Sequence, residues 1–369
     1  MPQGYIIGVL INSIMVLAAL APPRRPRPLA VAAYMVGLPG NEIPVLLGLL
    51  VLAAFVDTLA GHGLPTTWSG WIWFVAGIAV LAGYNWLQVR SVRAHRVVEQ
   101  AVGVQLPRPQ LWRTIFPWPI QPRSVLRIAN LAYGPGERQR LDVLRSRDAR
   151  APGPALIYWH GGGYSTGSKN FEARALRYRF AQLGWVVVSA NYGLRPAAGY
   201  PGHLVDAKRV IAWVRGNAAD HGIDPDRIVV AGSSAGAHLA TLAALTPNQP
   251  SLQPGFTEAN TTVAGAVGLY GYYGRYYGRT ADEELPSTPL ALPVDSAPPV
   301  LIAHGTNDTY VAVEKARALV AHLRSGSPAA VNYIELPGAQ HGFDVLHSYR
   351  FDSVLSGIVA FCDHEIGRK

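Results

Sequence analysis

The sequence has 369 residues, enough for one large domain with an additional segment or for two domains, and its single cysteine excludes an intrachain disulfide. Charged residues make up only 15% of the chain, well below the usual quarter, so some part of the chain must be almost free of charge. The formal net charge is +9, but no zinc-finger spacing or RNA-binding aromatic motif accompanies it, and we expect no nucleic acid partner.

Residues 1–96 contain three apolar runs, which we predict to be the helices of a transmembrane region. The runs lie near residues 5–21, 43–60 and 68–89. A cleaved signal peptide would need a basic start, which the first three residues do not supply, so the remaining alternative is a set of buried helices in a soluble protein. A shorter run at 29–38 is interpreted as an interfacial segment or as a lead-in to the second span.

Arginines beside these runs predict the orientation of the membrane region. They form two clusters, one of Arg24, Arg25 and Arg27 and the other of Arg90, Arg93 and Arg96. The loop at 61–67 has neither Lys nor Arg. The positive-inside rule therefore predicts an external N-terminus and a cytoplasmic location for the chain after Arg90, that is, an integral membrane protein with a cytoplasmic catalytic domain.

Residues 125–369 alternate between short apolar runs and helical patterns, after a linker or cap-forming segment at 97–124. Candidate strands are 126–132, 140–144, 155–159, 185–190, 227–231, 263–269, 300–303 and 331–336, and the clearest candidate helices are 171–183, 203–217, 235–245 and 313–323. This order predicts an α/β fold with a mostly parallel eight-stranded sheet and helices on both faces. A tyrosine-rich insertion at 270–299 is interpreted as a short cap-like lid or as a surface loop with locally packed tyrosines.

The pentapeptide Gly232-Ser233-Ser234-Ala235-Gly236 lies between a predicted strand and a predicted helix, the context of a G-x-S-x-G nucleophile elbow. A sharp turn raises the central serine above the sheet, and the flanking glycines prevent collisions with strand and helix. Ala235 would begin the helix, where a free N–H favours a developing negative charge. We therefore predict Ser234 as the nucleophile and the amide of Ala235 as one oxyanion donor.

A glycine run after an earlier predicted strand supplies the other candidate donors. In His160-Gly161-Gly162-Gly163-Tyr164 the glycines let backbone amides approach a ligand closely, as in the HGGG-type loop that accompanies such an elbow. We predict Gly162 and Gly163 as oxyanion donors and His160 as a residue that orients the loop. Tyr164 is interpreted either as part of the substrate pocket or as a packing residue.

The acid and the base of a triad are expected after the serine, in that order. Asp308 follows the predicted strand 300–303, and His341 follows the last predicted strand. We predict these two residues as the acid and the base, and we interpret His304 as structural. The other histidines show no metal-ligand spacing, so we predict neither a metal nor a cofactor.

From about residue 126 to its end the sequence resembles the hormone-sensitive-lipase-like and related carboxylesterase branches of the α/β-hydrolases. The resemblance rests on residues 160–164 and 232–236 together with Asp308 and His341. It implies an eight-stranded sheet and hydrolysis of carboxylic esters without a cofactor, often with short or medium acyl chains. The chain has Ser233 where many members have Asp, and we assign Ser233 and Tyr270, with Tyr164, to the candidate substrate pocket.

These features predict a membrane-anchored serine carboxylic-ester hydrolase that cleaves short- to medium-chain acyl esters of small molecules or lipids through an acyl-enzyme on Ser234. An acyltransferase or deacetylase acting on a lipid or glycan, or a peptidase, would use the same groups and differ only in the acceptor or substrate. A catalytically silent binding module is the alternative from another class, although such modules typically lack one of the groups present here. The sequence leaves the oligomeric state open.

Overall fold

The computed structural model describes residues 1–149, 152–276 and 286–367, and an eight-stranded sheet is its central feature. The strands are β1 (Val125–Ala132), β2 (Arg140–Ser146), β3 (Gly153–Trp159), β4 (Val186–Ala190), β5 (Ile223–Ser233), β6 (Gly265–Leu269), β7 (Val300–Gly305) and β8 (Val331–Leu336). Their order across the sheet is β1-β2-β4-β3-β5-β6-β7-β8. Strand β2 is antiparallel to both neighbours, and all other pairs are parallel. The predicted mostly parallel sheet is confirmed.

Helices cover both faces of this sheet, which is why its central strands are buried throughout and almost entirely apolar. The helices in the described part of the chain are α1 (Gln3–Leu20), α2 (Arg27–Glu42), α3 (Pro44–His62), α4 (Trp68–Val102), α5 (Arg174–Gln182), α6 (Gly202–Gly216), α7 (Ala218–His221), α8 (Ala235–Leu245), α9 (Glu314–Gly326) and α10 (Tyr349–Glu365). Helices α6, α8 and α9 pack on one face. Helices α5 and α10 pack on the other, together with the C-terminal part of α4.

Three N-terminal helices, α1, α3 and α4, are long and apolar enough to cross a membrane. They pack against one another through buried residues that include Tyr5, Val80 and Tyr84, while many of their Leu and Ile side chains are exposed. The three apolar runs of the sequence therefore do form long apolar helices. The shorter run at 29–38 lies in a separate helix, α2, which ends one residue before α3 begins.

The segment at 97–124 is not entirely a linker. Helix α4 extends over 35 residues, so its last turns run past the apolar stretch into the α/β part of the molecule. There Ala94 and Val98 are fully buried in the core on the α10 side of the sheet. The rest of the segment contains a 3-10 helix at Leu111–Thr114. A rigid helix thus joins the apolar N-terminal region to the sheet.

The ends of α1 and α2 contact the loops after β7 and β8. The side chain of Asn307 donates to the carbonyl of Ala19 at 3.3 Å, and Arg90 donates to the same carbonyl at 2.9 Å and to Oδ1 of Asn41 at 2.8 Å. At the start of α10, Arg350 pairs with the buried carboxylate of Glu42, which also accepts a 2.6 Å hydrogen bond from Oγ of Ser348, the residue before the helix. The carboxyl edge of the sheet therefore faces the apolar helices.

We expect Glu42→Ala to destabilise the protein by ~3–5 kcal/mol, because it leaves the fully buried guanidinium of Arg350 without its counter-ion. The measurement is denaturant unfolding of the detergent-solubilised protein. Glu314→Ala is the matched control, because it removes a carboxylate from an exposed pair with Arg317 at 3.8 Å and should cost less than ~1 kcal/mol. Equal losses in the two variants would contradict the prediction.

Candidate active site

Ser234 occupies the sharp turn between β5 and α8. Its backbone has φ 53° and ψ −114°, a conformation that side chains rarely adopt and that lifts the serine above the sheet. The turn leaves no room for a side chain at Gly232 or Gly236. A Cβ on Gly232 would lie 2.2 Å from the carbonyl carbon of Gly236, and one on Gly236 would lie 2.0 Å from the carbonyl oxygen of Trp159. The G-x-S-x-G sequence is thus the steric requirement of this turn.

His341 and Asp308 complete a hydrogen-bonded relay with Ser234. His341 Nε2 lies 3.0 Å from Ser234 Oγ, and His341 Nδ1 lies 2.7 Å from Asp308 Oδ2. The loops after β5, β7 and β8 meet at the carboxyl edge of the sheet, which brings residues 107 and 33 positions apart into contact. This geometry allows the imidazole to accept the serine proton while the carboxylate fixes its orientation.

Asp308 is held as a carboxylate by its surroundings. Its Oδ1 accepts the amides of Tyr310 at 2.9 Å and Val311 at 2.7 Å, and His304 Nε2 lies 3.2 Å from Oδ2. Burial by itself would raise the pKa of Asp308, but the charge of His341 and the hydrogen bonds from His304 and His341 outweigh it. The net effect places this pKa well below its usual range. His304 therefore contacts the acid directly, beyond the purely structural role expected for it.

The three predicted oxyanion donors lie on either side of Ser234. Gly162 and Gly163 have φ of 101° and 58°. Glycine adopts such positive φ values without the steric cost that a Cβ would bring. The amide of Ala235 belongs to the first turn of α8, where N–H groups have no intrahelical partner. His160 stacks on Tyr192 with 4.5 Å between ring centroids, and burial lowers its pKa to about 4, so its neutral ring packs beneath the loop.

The chain is similar in sequence to known proteins. A family model described as BD-FAE matches residues 141–274, the stretch that includes the glycine loop and the elbow. Esterase LipQ of Mycobacterium tuberculosis is 38% identical over 271 residues, which cover 67% of this chain and 64% of the relative. The chain belongs to the α/β-hydrolases. The probable carboxylic ester hydrolase LipM of the same organism is 39% identical over 246 residues, which cover 60% of this chain and 57% of that protein.

Solved structures show the same fold. Thermogutta terrifontis esterase 2, in a structure phosphonylated by cyclosarin, is 25% identical to this chain with a TM-score of 0.56, covering 68% of this chain and 98% of that chain. The chain spans less than two thirds of the length of the two curated relatives, LipQ and LipM. LipQ is named an esterase and LipM a probable carboxylic ester hydrolase.

A cavity of about 460 Å³ lies in front of Ser234, a size typical of small-ligand sites. Its inner wall includes Gly162, Gly163, Glu172, Tyr310 and His341. Its outer wall is helix α2, which contributes Val31, Tyr34, Met35 and Leu38. The ring of Tyr34 meets the imidazole of His341 edge-on, with 5.6 Å between centroids. The covering element is thus part of the N-terminal region, which the sequence analysis assigned to the membrane.

The residues predicted to line the pocket lie beneath it. Tyr164 is buried in the core, and its hydroxyl lies 2.6 Å from His238 Nδ1. Ser233 is fully buried and donates to Asp344 Oδ2 at 2.5 Å, and the hydroxyl of Tyr270 donates to the other oxygen of the same carboxylate. The ring of Tyr270 also contacts His341, with 4.5 Å between centroids. These side chains support the site from below.

The described part of the tyrosine-rich insertion also packs into the core. Tyr273 and Tyr276 are buried, and the ring of Tyr276 contacts those of Tyr164 and His203. Tyr277 lies outside the described residues. Residues 277–285 of the insertion lie outside the described residues, and the element that lines the outer side of the cavity at Ser234 is helix α2. Within the described ranges no group of three His, Cys, Asp or Glu could hold a metal ion.

Glu172 is a cavity residue that the sequence analysis did not identify. Its carboxyl group accepts the amide of Gly161 at 2.5 Å and lines the cavity beside Ser234. Burial and the nearby carboxylate of Asp344 raise the pKa of Glu172 to about 8, against the opposing effects of Gly161 and Arg177. Glu172 is therefore neutral near pH 7 and ionises in mildly alkaline solution. No motif marks it, because its contact with Gly161 arises only from the folding of the loop before α5.

We expect ester hydrolysis by the wild type to fall by about tenfold between pH 7 and pH 9, because ionised Glu172 would place a negative charge beside the developing oxyanion. Glu172→Gln keeps the acceptor for Gly161 without the titration, so its activity should stay level over the same interval. The measurement is kcat/KM against pH for both proteins. Parallel profiles would contradict the assignment of this ionisation to Glu172.

Proposed function

We propose that the protein is a serine carboxylic-ester hydrolase, anchored in a membrane, that acts through an acyl-enzyme on Ser234. The observation that carries the proposal is the continuous relay from Ser234 Oγ through His341 to Asp308, at 3.0 and 2.7 Å. The relationship to LipQ and LipM, both named as esterases or carboxylic ester hydrolases, supports the same reaction class. A binding module without activity would have no need of this relay.

The reaction follows from the positions of the groups. Ser234 Oγ attacks the ester carbonyl carbon while His341 Nε2 takes the serine proton, and Asp308 stabilises the resulting imidazolium. The amides of Gly162, Gly163 and Ala235 bind the oxyanion of the tetrahedral intermediate. His341 then gives its proton to the leaving alcohol, which leaves an acyl group on Ser234. Water repeats the cycle, with His341 as base, and releases the carboxylic acid.

The cavity supports short to medium acyl chains as the preferred substrates. Its volume of about 460 Å³ accommodates a small ester, and the side chains of α2 that line it are apolar apart from the Tyr34 hydroxyl. We propose hydrolysis rather than transfer to another acceptor. Acyl transfer, glycan deacetylation and peptide cleavage would all proceed through the same acyl-enzyme. These reactions differ only in the substrate that is cleaved and in the acceptor of the acyl group.

The arginine clusters support a cytoplasmic catalytic domain. Arg24 and Arg27 donate to the carbonyls of Thr306 and Tyr310, so the basic loop between α1 and α2 lies on the same side as the active site. The loop at 61–67 lies at the opposite ends of α3 and α4 and carries neither Lys nor Arg. By the positive-inside rule the active site then faces the cytoplasm.

The test is hydrolysis of p-nitrophenyl esters from acetate to palmitate by the detergent-solubilised full-length protein, together with labelling by a fluorophosphonate probe. We expect a maximum at a short or medium chain and a single labelled residue, Ser234, by peptide mass spectrometry. The phosphonylated relative supports the use of this probe. A folded protein that neither hydrolyses these esters nor reacts with the probe would refute the proposal. Faster release in the presence of an added alcohol or amine, with the corresponding ester or amide as product, would favour an acyltransferase.

A further inference from the structure

The segment between α4 and β1 carries a cluster of exposed apolar side chains outside the long apolar helices. Six large residues within ten positions are exposed there, and we call them the 111–120 patch: Leu111, Trp112, Ile115, Phe116, Trp118 and Ile120. Leu111 is 74% exposed and Ile120 is 66% exposed, so these side chains add little to the core. Exposed apolar side chains in such number mark a contact surface.

The backbone of the patch is fixed to the catalytic domain. Just before the patch, the amide of Gln110 donates to Oδ2 of Asp352 at 3.3 Å. Within it, the carbonyl of Pro117 accepts the amide of His347 at 2.6 Å. The three aromatic rings of the patch lie side by side, with 6.0 and 5.2 Å between the centroids of neighbours. The patch is therefore a preformed surface on a backbone that the domain holds in place.

The patch lies beside the ends of the apolar helices. The 3-10 helix at Leu111–Thr114 packs against both α3 and α10, and a buried ion pair at the start of α10 holds that helix against the junction of α2 and α3. Leu111 also borders a cavity with Val92, two residues beyond Arg90, the first charged residue of α4. The patch is thus at the level where the proposed spans leave the apolar layer, on the side of the active site.

Arginines accompany the patch. Residues 103–124 contain three Arg and no Lys, Asp or Glu. Two of the three, Arg108 and Arg113, line a polar cavity of about 380 Å³ together with Arg179 of α5, and we call it the arginine cavity. Among the described residues that line it, the one carboxylate is Asp352, which is already paired with a histidine at 2.7 Å. The arginine cavity therefore carries an excess of positive charge.

We propose that the 111–120 patch inserts into the surface of the bilayer and that the arginine cavity binds the phosphate of an anionic phospholipid. The insertion depends on the proposed membrane anchoring and is independent of the proposed ester hydrolysis. Ile120 belongs to the patch and also lines the arginine cavity, so apolar and cationic groups adjoin as acyl chain and phosphate do in a phospholipid. Tryptophan favours this depth of a membrane, and the planar guanidinium of arginine suits phosphate. Anionic lipid also attracts arginines that lie near the membrane surface.

The position of the patch is measured on the full-length protein reconstituted in phosphatidylcholine vesicles. Cys362 is the only cysteine and is buried, so Ile115→Cys provides a single accessible thiol for a fluorophore. Phospholipids with a nitroxide near the start of the acyl chain should quench this label. Leu183→Cys is the matched control, because Leu183 is 42% exposed against 52% for Ile115 but lies just before β4, at the edge of the sheet opposite Ser234. We expect quenching at Ile115 to exceed that at Leu183 by about threefold or more.

A third label separates failure of the inference from failure of the proposed anchoring. Val75 is exposed on α4 within a proposed span, so a fluorophore on Val75→Cys should be quenched wherever the patch lies. Strong quenching at Val75 with only the Leu183 level at Ile115 would overturn the inference and indicate that another protein covers the patch. Absence of quenching at Val75 would refute the membrane anchoring and the inference with it, while ester hydrolysis by Ser234 would be unaffected.

The phosphate site is tested by placing the nitroxide on lipids with different headgroups. Equal small fractions of nitroxide-labelled phosphatidylglycerol or phosphatidylcholine are added to the vesicles, and the label at Ile115 is read. We expect the phosphatidylglycerol to quench about twofold more strongly, because it collects at the arginine cavity. Arg108→Gln with Arg179→Gln should abolish this difference, and both side chains are exposed, so the variant should fold.

Arg145→Gln with Arg324→Gln is the matched control for charge. Arg145 borders a cavity with the residues that precede β4 and β5, and Arg324 donates to the carbonyl at the start of β8, so both lie at the edge of the sheet opposite the patch. The control should keep the preference for phosphatidylglycerol. Equal quenching by the two lipids without any arginine substitution, or the same loss of preference in both arginine variants, would overturn the inferred phosphate site.

Discussion

Replacement of Ser234 by alanine should lower kcat for ester hydrolysis by about 10⁴-fold or more, because the acyl-enzyme can no longer form. The residual rate would come from the oxyanion donors and from substrate binding, which the substitution leaves in place. Helix α2 and the cavity walls do not depend on the Ser234 hydroxyl, so the variant should unfold at the same denaturant concentration as the wild type. The measurement is kcat for the best p-nitrophenyl ester, together with fluorophosphonate labelling.

Ser233→Ala is the control for this prediction, since the two serines are adjacent. Ser233 Oγ lies 2.8 Å from the hydroxyl of Tyr158 and donates to Asp344, so it belongs to the buried support of the site. The variant should lose stability but keep fluorophosphonate labelling. Peptide mass spectrometry of labelled wild type provides the same distinction without any substitution. A label on Ser233, or labelling that survives Ser234→Ala, would show that the nucleophile is another residue.

The elbow and the triad could be predicted from the sequence because each depends on local geometry. A turn that leaves no space at Gly232 and Gly236 requires glycine at both positions, and residues 228–231 of the strand before it form a continuous apolar run. In a parallel sheet the carboxyl ends of the strands share one edge, so residues just after β5, β7 and β8 meet there. The predicted order of serine, acid and histidine therefore led to the residues that lie in contact.

The wall of the cavity could not be predicted in the same way. Its residues contact parts of the catalytic domain that lie some 300 positions later in the sequence, as Glu42 does with Arg350 and Ala30 with Thr309. An apolar run at 29–38 indicates only that the segment avoids water, and lipid or a protein surface satisfies that equally. A usable signal was Glu42, an acidic residue directly beside apolar runs, because a charge in that position usually has a buried partner.

The direction in which a side chain points was a further property of the site that could not be predicted from the sequence. Tyr164 follows three glycines and has φ 64°, which turns its ring into the core beside His238 instead of into the cavity. Such a conformation is uncommon for tyrosine and is not encoded in the hydrophobic pattern. Ser233 and Tyr270 illustrate the same point, since both hold the buried carboxylate of Asp344. A motif identifies the loop that carries a site, while the backbone angles decide which side chains reach the substrate.

Asp308→Asn should lower kcat by about 10⁴-fold with little change in the shape of the site. In the wild type, Asp308 Oδ1 accepts two backbone amides and Oδ2 faces His341 Nδ1. The asparagine oxygen would keep the amide bonds, which puts the NH₂ group toward His341. That group can only donate, so His341 Nδ1 must accept and Nε2 must carry the proton. The imidazole then has no lone pair facing Ser234 and cannot act as the base.

Asp352→Asn is the matched control, because Asp352 Oδ1 forms an equivalent contact of 2.7 Å with His347 Nε2 in a pair that does not include Ser234. It should change kcat by less than about twofold. The low pKa of Asp308 provides a second test. Because its carboxylate stays ionised, protonation of Asp308 should cause no loss of wild-type activity between pH 5 and pH 7. A loss of less than about tenfold in Asp308→Asn, with the fold intact, would mean that His341 takes its orientation from other contacts, such as the ring of Tyr270 at 4.5 Å.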